Sequence, residues 1–155
     1  MNINFKPGEN NDVETLLILI QNFYELDGCV SFNAVVLRSA LSQLLSDESM
    51  GRVWLIQDHN QTIGYVILTF GYSLEYGGRD AFIDELYIEP AYHGQGIGKQ
   101  IIKFLEEVCI FLNVQALHLE VERENTSAQG FYRRVGFKDH NRYLMTKWLN
   151  KTNLQ

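Results

Sequence analysis

His93-Gly94-Gln95-Gly96-Ile97-Gly98-Lys99 sets three glycines at alternate positions between a strand-like run ending at Ile88 and a helical pattern that continues to about Leu112. Glycine lets the backbone approach a ligand closely and adopt dihedrals that a side chain forbids. The first turn of a helix carries N–H groups with no intrahelical partner, and its dipole adds about half a positive charge there. A strand, a glycine loop and a helix N-terminus in that order make a site for a phosphate-bearing ligand.

Two phosphate-binding patterns fail on this segment. A P-loop needs four residues between its first glycine and Gly-Lys, then Ser or Thr for magnesium, whereas Gln100 follows Lys99 here. The dinucleotide fingerprint G-x-G-x-x-G requires glycine where Lys99 stands, and a strand running straight into the first glycine. Glu120, some twenty residues on, sits where a ribose-binding acid would, but the loop at 89–93 argues against that reading.

The segment resembles the pyrophosphate loop of the GNAT superfamily of acyl-CoA N-acyltransferases, Arg/Gln-x-x-Gly-x-Gly/Ala, with Gly96 and Gly98 as its glycines and His93 in the place of Arg or Gln. Because backbone amides do most of the holding, the His93 departure is expected to tune binding. Downstream, LHLEVERENTSAQGFYRRVGF is similar to the superfamily's strand–Asn-x-x-Ala–helix–Tyr–x-x-x-Gly-Phe region, with Asn125, Ala128, Phe131, Tyr132, Gly136 and Phe137 at matching positions. Asn125 and Tyr132 are seven residues apart, about two helical turns, so they share a helix face. The resemblance covers roughly Leu55 to Phe137.

It implies an α/β GNAT-like acyl-CoA N-acyltransferase fold, with a mixed, mostly antiparallel central sheet flanked by helices. It also implies an acetyl-CoA-dependent N-acetyltransferase that moves the acetyl group directly to a primary amine of a small molecule or peptide. Acetyl-CoA would be a cosubstrate held at Gly94, Gln95, Gly96, Ile97, Gly98 and Lys99, with His93 beside it. Backbone groups of Leu86, Tyr87 and Ile88 would hold the pantetheine arm and polarise the acetyl carbonyl, an oxyanion-hole role. Asn125 either caps its helix or hydrogen-bonds the pantetheine; one side-chain oxygen cannot do both at once. The alternative is a non-catalytic acyl-CoA sensor on the same fold.

Acetyl transfer needs a neutral amine, and an alkylamine of pKa about 10.4 is almost wholly protonated at neutral pH. A carboxylate must help to remove the proton. Asp84 and Glu85, before the loop, and Glu120 on the next strand are the candidates. Glu120 precedes Tyr132 by twelve residues, similar to the base–acid spacing of some N-terminal-residue acetyltransferases in the superfamily. Tyr132 is the candidate general acid: a phenol of pKa about 10 can give its proton to a departing thiolate of pKa about 8.5. Acceptor-side candidates are Tyr24, Glu25 and Asp27 after the first helix, and Tyr72, Glu75 and Tyr76 near a hairpin, because carboxylates beside aromatic rings suit a cation.

The remaining composition narrows the partners. A net charge of −6 argues against nucleic acid, which calls for a basic face. No apolar run is long enough to span a bilayer and no export signal opens the chain, so a cytoplasmic address without a membrane partner is expected. His59, His118 and His140 lack ligand spacing, and no metal is expected; His118 reads as a surface residue. Cys29 and Cys109 read as ordinary reduced thiols, Cys109 on an apolar helix face, so no covalent acyl-enzyme is expected. Members of the superfamily often pair, which makes a homodimer an expectation as well.

The elements that must position these groups follow from periodicity. Ile3 and Phe5 read as a first strand, Asn11 to Leu26 and Asn33 to Leu45 as amphipathic helices, and Arg52 to Gln57, Thr62 to Phe70 and Ala81 to Ile88 as strands. After the glycine-led helix come a strand from Ala116 to Glu122, a short helix from Asn125 to Val135 ended by Gly136, and a last strand from Tyr143 to Leu149. The 155 residues fit one domain over 1–150 with a short tail at 151–155.

Overall fold

The computed structural model describes residues 1–28 and 30–150. Their order is β1 (Ile3–Pro7), α1 (Val13–Asp27), α2 (Ala34–Ser46), β2 (Gly51–Asp58), β3 (Gln61–Ser73), β4 (Gly78–Ile88), α3 (Ile97–Phe111), β5 (Ala116–Leu119) and α4 (Thr126–Arg134). The five strands form one sheet in sequence order, antiparallel from β1 to β4 and parallel between β4 and β5. α3 supplies the crossover that a parallel pair requires.

Side-chain alternation along the strands feeds two apolar layers. Trp54, Ile56, Val66, Leu68, Ala81 and Ile83 face α3, which buries Ile97, Ile101, Ile102, Leu105 and Cys109 against them. Val53, Leu55, Tyr65, Ile67 and Tyr87 face the opposite way, against Val13, Leu16, Leu17 and Ile20 of α1 and Leu41 of α2. Asn33 caps α2 by accepting a hydrogen bond from the Val36 N–H at 3.2 Å, and Gly28, at φ 72°, ends α1 in the left-handed region. Asp12, by contrast, serves the turn before α1, accepting from the Glu9 N–H at 2.9 Å and from Lys6 Nζ at 2.7 Å.

Two bulges reset the alternation. Ile56 opposes Gly64 and Gln57 opposes Thr62, leaving Ile63 as an extra residue; Ile67 opposes Glu85 and Leu68 opposes Ile83, leaving Asp84 extra on β4. Since the side-chain period is two, one extra residue exchanges the faces of everything beyond it. Ile83 therefore faces α3, whereas Glu85 and Tyr87 turn toward α1.

The expected last strand over Tyr143–Leu149 is a correction: these residues form no strand pairing and are exposed. Their alternation suits a strand, but a strand exists only when its backbone groups meet a partner, and among the described residues these groups meet none. β5 is also shorter than the run to Glu122, because pairing with β4 stops at Ile83 and Leu119.

Candidate active site

β4 continues five residues past its last pairing with β5, so the two parallel strands part where the bulge lies. The opening is a cleft of about 570 Å³ walled by Ile83, Asp84, Glu85 and Leu86 on one side and by Leu119–Asn125 with Ala128 and Tyr132 on the other. Asp84, Glu85, Glu120, Asn125 and Tyr132, spread over 49 residues of sequence, thus meet in one cavity.

Glu85 is the most firmly held of them. Tyr24 Oη on α1 donates to its Oε2 at 2.5 Å and Tyr65 Oη on β3 donates to its Oε1 at 2.8 Å. Burial pushes the Glu85 carboxyl above the ordinary glutamate range, while the two phenol hydrogen bonds pull the other way. The same burial, with the carboxylate beside them, drives the Tyr24 and Tyr65 phenols upward and keeps both as donors. Asp84, on the bulge, keeps contact with solvent and has no hydrogen-bond partner among the described residues; desolvation raises its carboxyl too. Glu120 lies exposed across the cleft.

Tyr132 is seated by its neighbours. Its ring meets Phe131 and Phe137 at 5.2 and 5.6 Å between centroids, and its carbonyl accepts the Phe137 N–H at 3.0 Å. Gly136 at φ 105° closes α4 in the expected cap. Burial raises the Tyr132 phenol, so it is a protonated donor facing the cleft. Asn125 does cap α4, its Oδ1 accepting the Ala128 N–H at 3.1 Å. Its amide nitrogen is left to meet a ligand.

The glycine loop follows β4 and opens α3, whose Gly98 packs against Phe131, the neighbour of Tyr132. Gly94 and Gly96 adopt φ of 75° and 79°, and a Cβ at either would meet no atom within 4 Å. Both need glycine for the backbone alone, and the space around them is open to a ligand. Gly98 has a different reason: a Cβ there would stand 3.0 Å from Phe131 Cζ, so its absence lets α3 close on α4 next to Tyr132. Buried Ile97 anchors the helix start, while Lys99 points to solvent and no side chain caps the first turn. His93 Nε2 donates to the Ile88 carbonyl at 2.7 Å, tying loop to strand, and Gln95 Nε2 donates to the Ala91 carbonyl at 3.0 Å. Tyr87 turns its side chain into the α1 layer, so only its backbone can face the cleft edge.

Other sequence candidates stand apart. Glu25 is exposed and accepts from Gln21 on the same helix; Tyr72 and Glu75 lie at the β3–β4 turn, outside the cleft lining, and Glu75 holds Arg142 in a paired contact of 3.0 and 2.6 Å. Asp27 lines the cleft and Tyr76 does not. His118 is no surface residue: it lies between Tyr76 and Phe82, at 4.5 and 5.0 Å, with Nε2 3.2 Å from Asp80 Oδ2 and no hydrogen bond made there. Cys109 is buried on α3, its thiol pushed up to about 11, unsuited to nucleophilic work; Cys29 lies outside the described residues. Among the described residues no group of three His, Cys, Asp or Glu side chains gathers as for a metal, and no helix is long and apolar enough to cross a membrane. Tyr65 is the residue that sequence reasoning missed; a tyrosine amid β3's aliphatic run was its only trace.

A splayed parallel pair beside an uncapped, glycine-led helix start agrees with the N-acyltransferase class that the motifs resemble. The model of the acetyltransferase (GNAT) family matches residues 19–137, so the chain belongs to that family. It is 27% identical over 140 residues to the peptidyl-lysine N-acetyltransferase YjaB of Salmonella typhimurium, covering 89% of this chain and 85% of that one. It is 36% identical over 77 residues to a thialysine N-epsilon-acetyltransferase of Bos taurus; the match takes in 50% of this chain and spans only 45% of that relative's length. An integron cassette protein from the mobile metagenome of Cole Harbour Salt Marsh superposes with a TM-score of 0.83 at 31% identity, over 94% of this chain and 90% of that one. A predicted acetyltransferase from Clostridium acetobutylicum, solved with acetyl-CoA, has the same fold at TM-score 0.80 and 18% identity, over 94% and 96% of the two chains.

Proposed function

We propose that this acetyltransferase takes its acetyl group from acetyl-CoA and passes it directly to a primary alkylamine carried by a small molecule or peptide. The observation that carries the reading is the cleft itself, where the β4–β5 opening brings three carboxyl groups and a half-buried phenol together. Backbone N–H groups of 94–99 would hold the diphosphate of CoA, and the β4 edge at 86–88 its pantetheine arm. The cosubstrate supplies the activated acetyl thioester.

Six carboxyl groups line the cleft, from Asp27, Asp84, Glu85, Glu120, Glu122 and Glu124, against the guanidinium groups of Arg123 and Arg142. That surplus attracts an ammonium and concentrates it at the site. Relatives named for peptidyl-lysine and thialysine support a lysine-like amine as the acceptor. Within the cleft the three acids divide the work. Glu85, with both oxygens engaged by Tyr24 and Tyr65, is held in place, and Glu120 faces the incoming cation. Asp84, unbonded and raised by desolvation, takes the proton. The neutral amine attacks the thioester carbonyl, the C–S bond breaks, and Tyr132 gives its proton to the leaving sulfur.

Thiol release from acetyl-CoA in the presence of lysine peptides, polyamines and aminoglycosides tests this directly. Amine-dependent CoA release is expected; binding of acetyl-CoA with no turnover on any amine would make the protein a sensor instead.

A further inference from the structure

A second hollow, of about 500 Å³, adjoins the cleft and shares Leu119, Glu120, Val121, Arg123 and Tyr132 with it. Its charge has the opposite sense. The cleft gathers six carboxyl groups, whereas the hollow sets Arg123, Arg133, Lys138 and Arg142 against Glu120 and Asp139.

Two of those four cations are already engaged. Arg133 holds Asp139 at 2.8 and 2.6 Å, and Arg142 holds Glu75 at 3.0 and 2.6 Å. The side chains of Arg123 and Lys138 have no ion-pair or hydrogen-bond partner among the described residues; the Arg123 guanidinium faces the Tyr143 ring, 5.7 Å from its centroid. Both residues are exposed, so both charged heads are open to an anion.

Their backbones are fixed. Gln129 Nε2 on α4 donates to the carbonyls of Glu122 and Arg123 at 2.9 and 3.0 Å, which pins the turn that carries Arg123. Lys138 stands between two attachments to α4: the Phe137 N–H donates to the Tyr132 carbonyl at 3.0 Å, and Arg133 holds Asp139. A guanidinium and an ammonium on rigid supports suit a carboxylate. Leu119, Val121 and Phe137 in the same walls offer apolar surface to a methylene chain.

Glu120 and Tyr132 belong to both spaces and mark the boundary. With the cosubstrate along β4, an acceptor whose amine meets the cleft's acids extends past Tyr132 into the hollow. A second ammonium there is repelled by Arg123 and Lys138, whereas a carboxylate is drawn to them. We propose that Arg123 and Lys138 form a carboxylate subsite, and that the acceptor is an amino acid, free or at the end of a peptide, whose side-chain amine is acetylated while its α-carboxylate lies in the hollow. This rests on the reading of the cleft as the place where an amine meets acetyl-CoA.

Nα-acetyl-lysine and Nα-acetyl-lysinamide carry the same side-chain amine and differ in the carboxylate alone. With acetyl-CoA, wild type should favour the carboxylate form by about tenfold or more in kcat/KM, the size of charge-assisted hydrogen bonds to one anion, and added salt should narrow the margin. In the Arg123→Gln/Lys138→Gln double variant the ratio should fall toward one. A wild-type ratio below about twofold overturns the subsite, and so does a preference that survives in the double variant. Free lysine and the tripeptide Gly-Gly-Lys then separate the two sources of the carboxylate, and a preference for either over its amide supports the subsite. Backbone N–H resonances of 123 and 138 give a readout without turnover: in protein saturated with CoA, Nα-acetyl-lysine should move both and its amide should leave them in place. If neither acceptor is acetylated, the acetyl-transfer reading falls while those shifts still test the subsite, and signals that stay still overturn it.

Discussion

Replacing Gly96 by alanine isolates the contribution of loop geometry to cosubstrate binding. A Cβ at Gly96 meets nothing within 4 Å, so the substitution introduces no clash and leaves core contacts untouched. Its cost is the φ of 79°, a left-handed conformation that disfavours an L side chain by about 1–2 kcal/mol. The free loop can escape that cost by relaxing, whereas the ligand-holding loop cannot, because its amides must converge on the diphosphate. The penalty therefore falls on binding, and at about 1.4 kcal/mol per tenfold it weakens the Kd for acetyl-CoA by roughly 5- to 30-fold. Titration calorimetry with acetyl-CoA measures the change and a thermal melt shows that the fold is intact. A variant that melts like wild type and binds acetyl-CoA within twofold of it would refute the reasoning.

Three further outcomes follow from the site. Tyr132→Phe should lower kcat by about 100-fold or more, the size of a lost general acid, with acetyl-CoA affinity little changed; unaltered kcat removes Tyr132 from the role. With Asp84 as base, kcat/KM should rise with pH through a limb above the ordinary aspartate value of about 3.9, because burial raises this carboxyl and only its ionised form can accept the proton; Asp84→Asn should abolish that limb, and its survival would point to another acid. Glu85 is also raised in the folded state, so folding is favoured by its protonated form, and its ionisation costs stability as pH rises above the unfolded value near about 4.3. The amide of Glu85→Gln leaves one phenol without its acceptor at every pH, so the sign lies in the trend: the stability of the variant relative to wild type should rise from pH 4 to pH 7; a relative stability that falls over that range would reverse the sign.

The parts of this site that sequence made legible are those governed by local rules. The glycine loop, the cap at Asn125, the Gly136 terminator and the apolar face of α3 each depend on residues a few positions apart, and each lies where the pattern put it. What sequence hid depends on register. The bulge at Asp84 is invisible without the pairing to β3, yet it sends Glu85 to the α1 face, where Tyr24 reaches it from 61 residues away. Tyr72 and Glu75 looked apt by composition, but neither lines the cleft, and Glu75 meets it only through Arg142. His118 read as outward-facing because alternation names a face and not what covers it; Tyr76 and Phe82 do. The alternation of Tyr143–Leu149 was equally clear, and its failure to form a strand shows that pattern supplies a propensity while a strand needs a hydrogen-bonded partner.

The central claim is that main-chain amides at 94–99 grip the diphosphate of coenzyme A. Following backbone amide resonances while CoA is titrated into labelled protein addresses it most directly. The N–H signals of Gly94, Gln95, Gly96, Ile97, Gly98 and Lys99 should move furthest and downfield, as donors to phosphate oxygens. Saturable binding that leaves those six signals in place while others shift would contradict it.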